Sequence, residues 1–196
     1  GRPSLPKTGE KMAKDNSFIL GLETLVPQVD MSDNTPFSNS IDVSAYVDIA
    51  DGTLLRIKAV NFRITDELNL PLNPLTATQK GAYSEMDVSW HLSTSEKAYR
   101  ISLADTNIVA SAIQYYLADH VQDVWLDIFS GGDLNPTDWE DGFIAATDTL
   151  WLTFLTENFD EAAGGMKLSV QIECESVKVT KAQALAIAVA QATSTG

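Results

Sequence analysis

Apolar and polar residues alternate with period two along much of this chain. In "MKLSVQIECESVKVT" the apolar side chains are Met166, Leu168, Val170, Ile172 and Cys174, and they return out of phase at Val177 and Val179. Such alternation marks a strand with one covered face, and a one-residue slip exchanges the faces unless a bulge absorbs it. "IDVSAYVDI" likewise puts Ile41, Val43, Ala45, Val47 and Ile49 on one side; "LLRIKAVNFRIT" runs Leu55, Ile57, Ala59 and then slips to Val60, Phe62 and Ile64. Asp51-Gly52 between them is a hairpin signal, because a type I′ turn needs φ > 0 at both central positions. The pattern predicts bulges or bends at Ala59/Val60 and Ser176/Val177, as strands that bend between facing sheets require.

A second hairpin is expected from Met86, Val88, Trp90 and Leu92, then the polar "STSEK", then Tyr99, Ile101 and Leu103. In "DTNIVASAIQYYLADH" the residues Ile108, Val109, Ala112, Ile113, Tyr116 and Leu117 recur at i, i+3/i+4, which predicts a helix over about 106–120, N-capped by Asp105 or Thr106. "VQDVWLDIF" returns to alternation at Val124, Leu126 and Ile128 and stops at Gly131-Gly132, while "FIAATDTLWLTFL" is apolar on both faces and reads as a buried central strand. With "SFILGLETLV" the strands number eight, at about 17–26, 41–50, 53–65, 85–93, 97–104, 121–129, 143–156 and 166–179. The tail "AQALAIAVAQAT" is either a short helix capped by Thr180 and Gln183 or a ninth strand through Leu185, Ile187 and Val189; its alanines favour the helix. The expected fold class is all-β: an eight-stranded jelly-roll-like sandwich with one inserted helix (about 106–120) and a short C-terminal helix.

Charge divides the chain. Arg2, Lys7, Lys11 and Lys14 against Glu10 give the first fourteen residues a net +3, so residues 15–196 carry −17 of a total of −14. Residues 1–16 therefore read as an extended basic arm and 17–196 as one sandwich domain. The acidic body disfavours nucleic acid, which could meet the chain at most through the arm. A chain of 196 residues can bury a core without disulfides, and its one cysteine, Cys174, reads as a buried, unpaired core residue. No apolar run approaches the ~20 residues of a transmembrane helix, and the N-terminus does not read as a signal peptide. "LPKTG" at 5–9 matches a sortase pentapeptide in letters but sits at the wrong end of the chain.

Catalytic chemistry finds little support. The two histidines, His91 and His120, come without a G-x-S-x-G elbow, a zinc-ligand spacing or a phosphate-binding glycine motif. The acidic loop "GGDLNPTDWEDG" offers Asp133, Asn135, Asp138, Glu140 and Asp141 as hard oxygen ligands of the kind Ca²⁺ takes, without the spacing of an EF-hand. A solvated turn explains the same residues. Of the tryptophans, Trp90, Trp125 and Trp151 lie in strand patterns; Trp139, in the acidic loop, is the one expected to line an exposed site or anchor that loop.

"ATDTLWLTFLTEN", a glycine-bearing loop, then "MKLSVQIECESVKVT" and a short terminal segment resemble the last two strands of small jelly-roll capsid proteins of icosahedral viruses of archaea and bacteria. The resemblance covers about Phe143–Thr193 and is one of pattern; the inserted helix departs from it. It implies a structural subunit without an active site or cofactor, located in the virion. Its partners would be copies of itself and other capsid proteins, met through lateral sandwich contacts, with Arg2, Lys7, Lys11 and Lys14 on an assembly arm. The alternative is a carbohydrate- or ligand-binding, adhesin-like β-sandwich at a cell surface or secreted.

Overall fold

The computed structural model describes residues 16–26, 36–78, 81–97, 104–159 and 165–193. Among them the backbone forms nine strands: β1 (Phe18–Val26), β2 (Phe37–Asp42), β3 (Thr53–Asp66), β4 (Tyr83–Ser93), β5 (Ile108–Asp119), β6 (Val124–Leu134), β7 (Phe143–Ala145), β8 (Thr149–Glu157) and β9 (Met166–Lys178). Two helices, α1 (Pro74–Ala77) and α2 (Lys181–Thr193), complete the set with three 3-10 turns.

Leaving β6 aside, the strands pair from the ends inward: β1 with β9, β2 with β8, β3 with β7, β4 with β5, all antiparallel. Further pairing of β9 with β3 and β8 with β4 folds this ribbon over into two facing sheets, β1-β9-β3-β7 and β2-β8-β4-β5-β6. That connectivity is a jelly roll, and β6 is an extra strand that extends the second sheet by a hairpin from β5. The core lies between the sheets, where Leu55, Ile57, Met86, Leu92, Leu152, Phe154, Leu168 and Ile172 are fully buried. Each such side chain contributes about 1.5–3 kcal/mol relative to exposure.

The expected helix at 106–120 is strand β5. Ala112 pairs with Trp90 and faces the core, whereas Ile113 pairs with Ser89 and faces outward; Tyr116 and Leu117 divide in the same way. The segment is apolar on both faces because its first half is covered on both, and a doubly covered strand mimics a helical stripe. Its β-branched and aromatic content (Ile108, Val109, Ile113, Tyr115, Tyr116) suits a strand.

The expected hairpin around Asp51-Gly52 is also replaced. β2 and β3 lie in different sheets, and residues 44–51 cross between them through two 3-10 turns. Asp48 caps the second turn by accepting from the Asp51 N–H at 3.0 Å. Gly52 sits at φ 72°, where a Cβ would collide with the carbonyl oxygen of Val179. The span 143–156 likewise divides into β7 and β8, one in each sheet, and β6 runs through Gly131-Gly132 instead of ending there. Of the expected strand at 97–104, residues 98–103 lie outside the described residues, Lys97 is in a loop and Ala104 in a turn.

Of the two phase slips, one is a bulge. The β3–β9 register shifts between Ile57 and Ala59, so Leu55 and Ile57 face the core before it and Val60 does so after it. At Ser176/Val177 the ladder is regular: Ser176 opposes Leu55 and Val177 opposes Leu54. The change of phase there has a tertiary cause. Val177 and Val179 join Leu54, Ala146, Ala184 and Ile187 in a second small cluster on the outer face, beneath α2. α2 is the expected C-terminal helix, and its capping box is formed: Thr180 Oγ1 accepts from Gln183 N at 3.2 Å, and Gln183 Oε1 accepts from Thr180 N at 3.1 Å. Gln191 then bridges back to β7, donating to Ile144 O and accepting from Ala146 N. No helix among the described residues is long and apolar enough to cross a membrane.

Candidate interaction surface

The second sheet is covered unevenly on its outer face. Over the middle of β4 the outward residues Asp87, Ser89, His91 and Ser93 are buried, beneath the two described ends of the loop that joins β4 to β5. Thr94 N donates to Asn107 O, Ser93 Oγ donates to Ser95 O, and Thr153 Oγ1 donates to Lys97 O. Lys97 and Asp105 form an ion pair at 3.1 Å with both side chains almost fully buried. Burial pushes the His91 imidazole down to about 4 against the opposing influence of a hydrogen bond with the Lys97 backbone and of Asp105. This polar layer fastens the loop to the sheet and accounts for the burial of β4 and of the first half of β5 on both faces.

Toward the β5–β6 turn the cover ends. Asp119 Oδ1 accepts from Val121 N and Gln122 N, and Asp123 adopts φ 52°, which together close the turn. Beyond the loop the sheet presents Tyr83 (75% exposed), Leu117 (39%), Val124 (54%) and Leu126 (63%), with Trp125 also exposed. In register, Tyr83, Asp119 and Val124 form one row and Glu85, Leu117 and Leu126 the next, so these side chains share the outer face. They line an open groove of about 760 Å³. β6 is at the edge of its sheet and is eleven residues long. An exposed, long, apolar edge strand is a template for association.

The electrostatics of this surface are one-sided. β4, β5 and β6 carry Glu85, Asp87, Asp119, Asp127 and Asp133 and not one Lys or Arg. The sequence from Ile101 to Met166 contains no basic residue but histidine. A second exposed apolar surface lies on α2, whose outer side shows Leu185 and Val189 and whose one charged residue is Lys181.

Two of the loop residues singled out as hard-oxygen ligands, Asn135 and Asp138, take local structural roles. Asn135 caps a 3-10 turn at Pro136–Asp138: its Oδ1 accepts from Thr137 N and Val60 N, and its Nδ2 donates to Val60 O at 2.7 Å. Asp138 completes that capping box by accepting from Asn135 N. Glu140 and Asp141 are exposed, and Asp133 lies in β6. Among the described residues no group of three or more His, Cys, Asp or Glu side chains is placed to hold a metal. Trp139 is exposed and tilts against Phe143 with ring centroids 6.3 Å apart, so it anchors the loop while keeping one face free. Arg2, Lys7, Lys11 and Lys14 lie outside the described residues.

The fold does bring a serine and a histidine together. Ser84 Oγ is 2.6 Å from His120 Nε2, and Thr78 Oγ1 lies 3.1 Å from each. Thr78 Oγ1 donates to Pro74 O, His120 N donates to Ala82 O, and Asp119 is occupied in the turn. The cluster ties α1 to the base of the β5–β6 hairpin. Spacing in the sequence carried no sign of it, because its members come from three separate segments. Cys174 is buried, within 3.6 Å of Ile172 O, its thiol pushed up to about 12 by burial.

No family model and no curated sequence matches the chain. Among solved structures it is similar to VP1 of Trichodysplasia spinulosa-associated polyomavirus (TM-score 0.45, 7% identity, 86% of this chain and 97% of that one). It is also similar to an unassembled pentamer of Merkel cell polyomavirus VP1 (TM-score 0.44, 6% identity, 86% and 97%). A third similarity is to the Desmodium yellow mottle tymovirus structure (TM-score 0.29, 11% identity, 91% and 98%). The jelly-roll assignment rests on the strand pairing itself.

Proposed function

We propose that this chain is a structural subunit of a viral capsid or comparable protein shell, non-catalytic, self-assembling through lateral contacts between sandwiches and located in the virion. The observation that carries the reading is the exposed apolar end of β4, β5 and β6, set on a rigid jelly roll whose extra strand lies at a sheet edge among the described residues. Surfaces of that kind mark association sites. A repeating shell needs rigid units with specific lateral patches, and a two-sheet core held by long antiparallel ladders supplies the rigidity. The purified protein should form large assemblies by size-exclusion chromatography and negative-stain microscopy. A monomer at every concentration and ionic strength would refute the reading.

A second reading, a carbohydrate-binding sandwich, is favoured by the same groove, where Tyr83 presents an aromatic surface. Binding on a glycan array by a protein that stays monomeric would select it.

A further inference from the structure

We infer that the groove at the free end of β4, β5 and β6 receives the basic N-terminal segment, residues 1–15, of a second copy of the chain. The inference rests on the shell reading and names the contact that would carry assembly.

The argument begins with charge. The groove's three strands hold five acids and no Lys or Arg, with Glu85 and Asp119 in the groove wall. Two such grooves packed against each other would bring the acids Glu85 and Asp119 of one copy against the same acidic surface of the other in an apolar contact, which like-charge repulsion opposes. The partner the groove fits is basic with a few apolar side chains. Residues 1–14 are such a segment: Arg2, Lys7, Lys11 and Lys14 against one acid, with Leu5 and Met12 between them. The basic residues of the body are mostly engaged: Arg56 with Glu175, Lys58 with Glu173, Lys97 with Asp105, Lys167 with Glu23 and Lys178 with Asp51.

Distance then selects the donor. β1 starts where Phe18 stacks on Tyr46 (4.4 Å), just past the end of β2, which is the Ser93 end of β4. The groove lies at the Tyr83 end. The eleven residues of β4 put about 35 Å between these ends. Crossing from β2 to β5 and β6 adds about 15–20 Å. The two legs run at right angles, so the shortest path over the surface is about 40 Å, most of the roughly 50 Å that fifteen residues span when fully extended. Counted back from Phe18, only Arg2 and Lys7 lie far enough along the segment to reach the groove of their own copy, so Lys11 and Lys14 cannot lie in it. A neighbouring copy places its groove under no such limit.

The test is a charge swap in the full chain. One variant carries Lys7→Glu, Lys11→Glu and Lys14→Glu. The other carries Glu85→Lys and Val124→Lys, two exposed positions that do not hold the turn. Circular dichroism and thermal melts confirm that each folds as the wild type does. Each variant alone should need an about tenfold higher concentration to assemble, the size expected from losing a few solvent-rimmed charge contacts. An equimolar mixture should recover wild-type assembly in analytical ultracentrifugation, since each arm then meets a groove of opposite sign. Recovery in a chain carrying all five substitutions but not in the mixture would show docking within one copy and overturn the inference. So would a wild type that assembles while both variants assemble equally well, and that outcome would leave the shell reading standing. A wild type that never assembles would overturn both.

Discussion

Acidification from about pH 7.5 to pH 5 should cost this fold about 2 kcal/mol through His91 alone. The imidazole lies on the outer side of β4 under the Lys97–Asp105 pair, 1% exposed, with Nε2 lacking a hydrogen-bond partner. Burial holds it at about 4 in the folded chain against 6.5 for the free side chain. The unfolded chain therefore binds a proton between pH 6.5 and about 4 that the folded one does not. Stability is whole above pH 6.5 and falls with pH by about 1.4 kcal/mol per unit across that window. The loss approaches about 3 kcal/mol below pH 4. A hydrogen bond with the Lys97 backbone and the Asp105 carboxylate oppose the depression while the Lys97 ammonium adds to it, so both residues must stay in place during the measurement. Urea unfolding of wild type and His91→Gln at about pH 7.5, 6 and 5, under conditions where the chain is monomeric, isolates the term. Exposed carboxylates such as Asp42 and Asp51, both held below the usual range by hydrogen bonds or a neighbouring lysine, titrate in both proteins and cancel. The wild type should lose about 2 kcal/mol more than the variant over this range. Equal slopes, or an NMR titration placing His91 near 6.5, would show that the loop leaves the ring hydrated and that the buried polar layer is wrong.

Two further outcomes follow from the packing. Leu54→Ala should cost about 2–5 kcal/mol and loosen α2 from the outer face of the first sheet, read as earlier proteolysis at Lys178 or Lys181; unchanged cleavage would mean that the cluster with Ala184 does not hold the helix. Cys174 should react with a thiol reagent only as fast as the chain unfolds, because the thiolate is both buried and disfavoured, and rapid labelling in native buffer would contradict its place in the core.

Much of the strand set was legible along the chain. The alternation from Met166 to Cys174, the slip near Ala59 and the Thr180–Gln183 capping box each concern neighbouring residues only, and each is found in place or within two residues of it. β5 was misread because two covered faces erase the alternation that marks a strand. What covers its outer face is a loop whose fit depends on His91, Lys97, Thr153 and Asn107, residues spread over sixty positions.

Period-two patterning and local capping were determined by the sequence alone, since both express backbone geometry over a few residues. Tertiary structure decided the rest: that β1 closes on β9 and β2 on β8, across more than a hundred residues, and that β2 and β3 separate into different sheets. It also decided which apolar rows are buried. Val124 and Leu126 alternate as core residues do, yet they face outward with no described segment of the chain over them. Alternation shows that a strand has an apolar face, but only the packing of distant segments shows whether the molecule covers that face itself or leaves it for another.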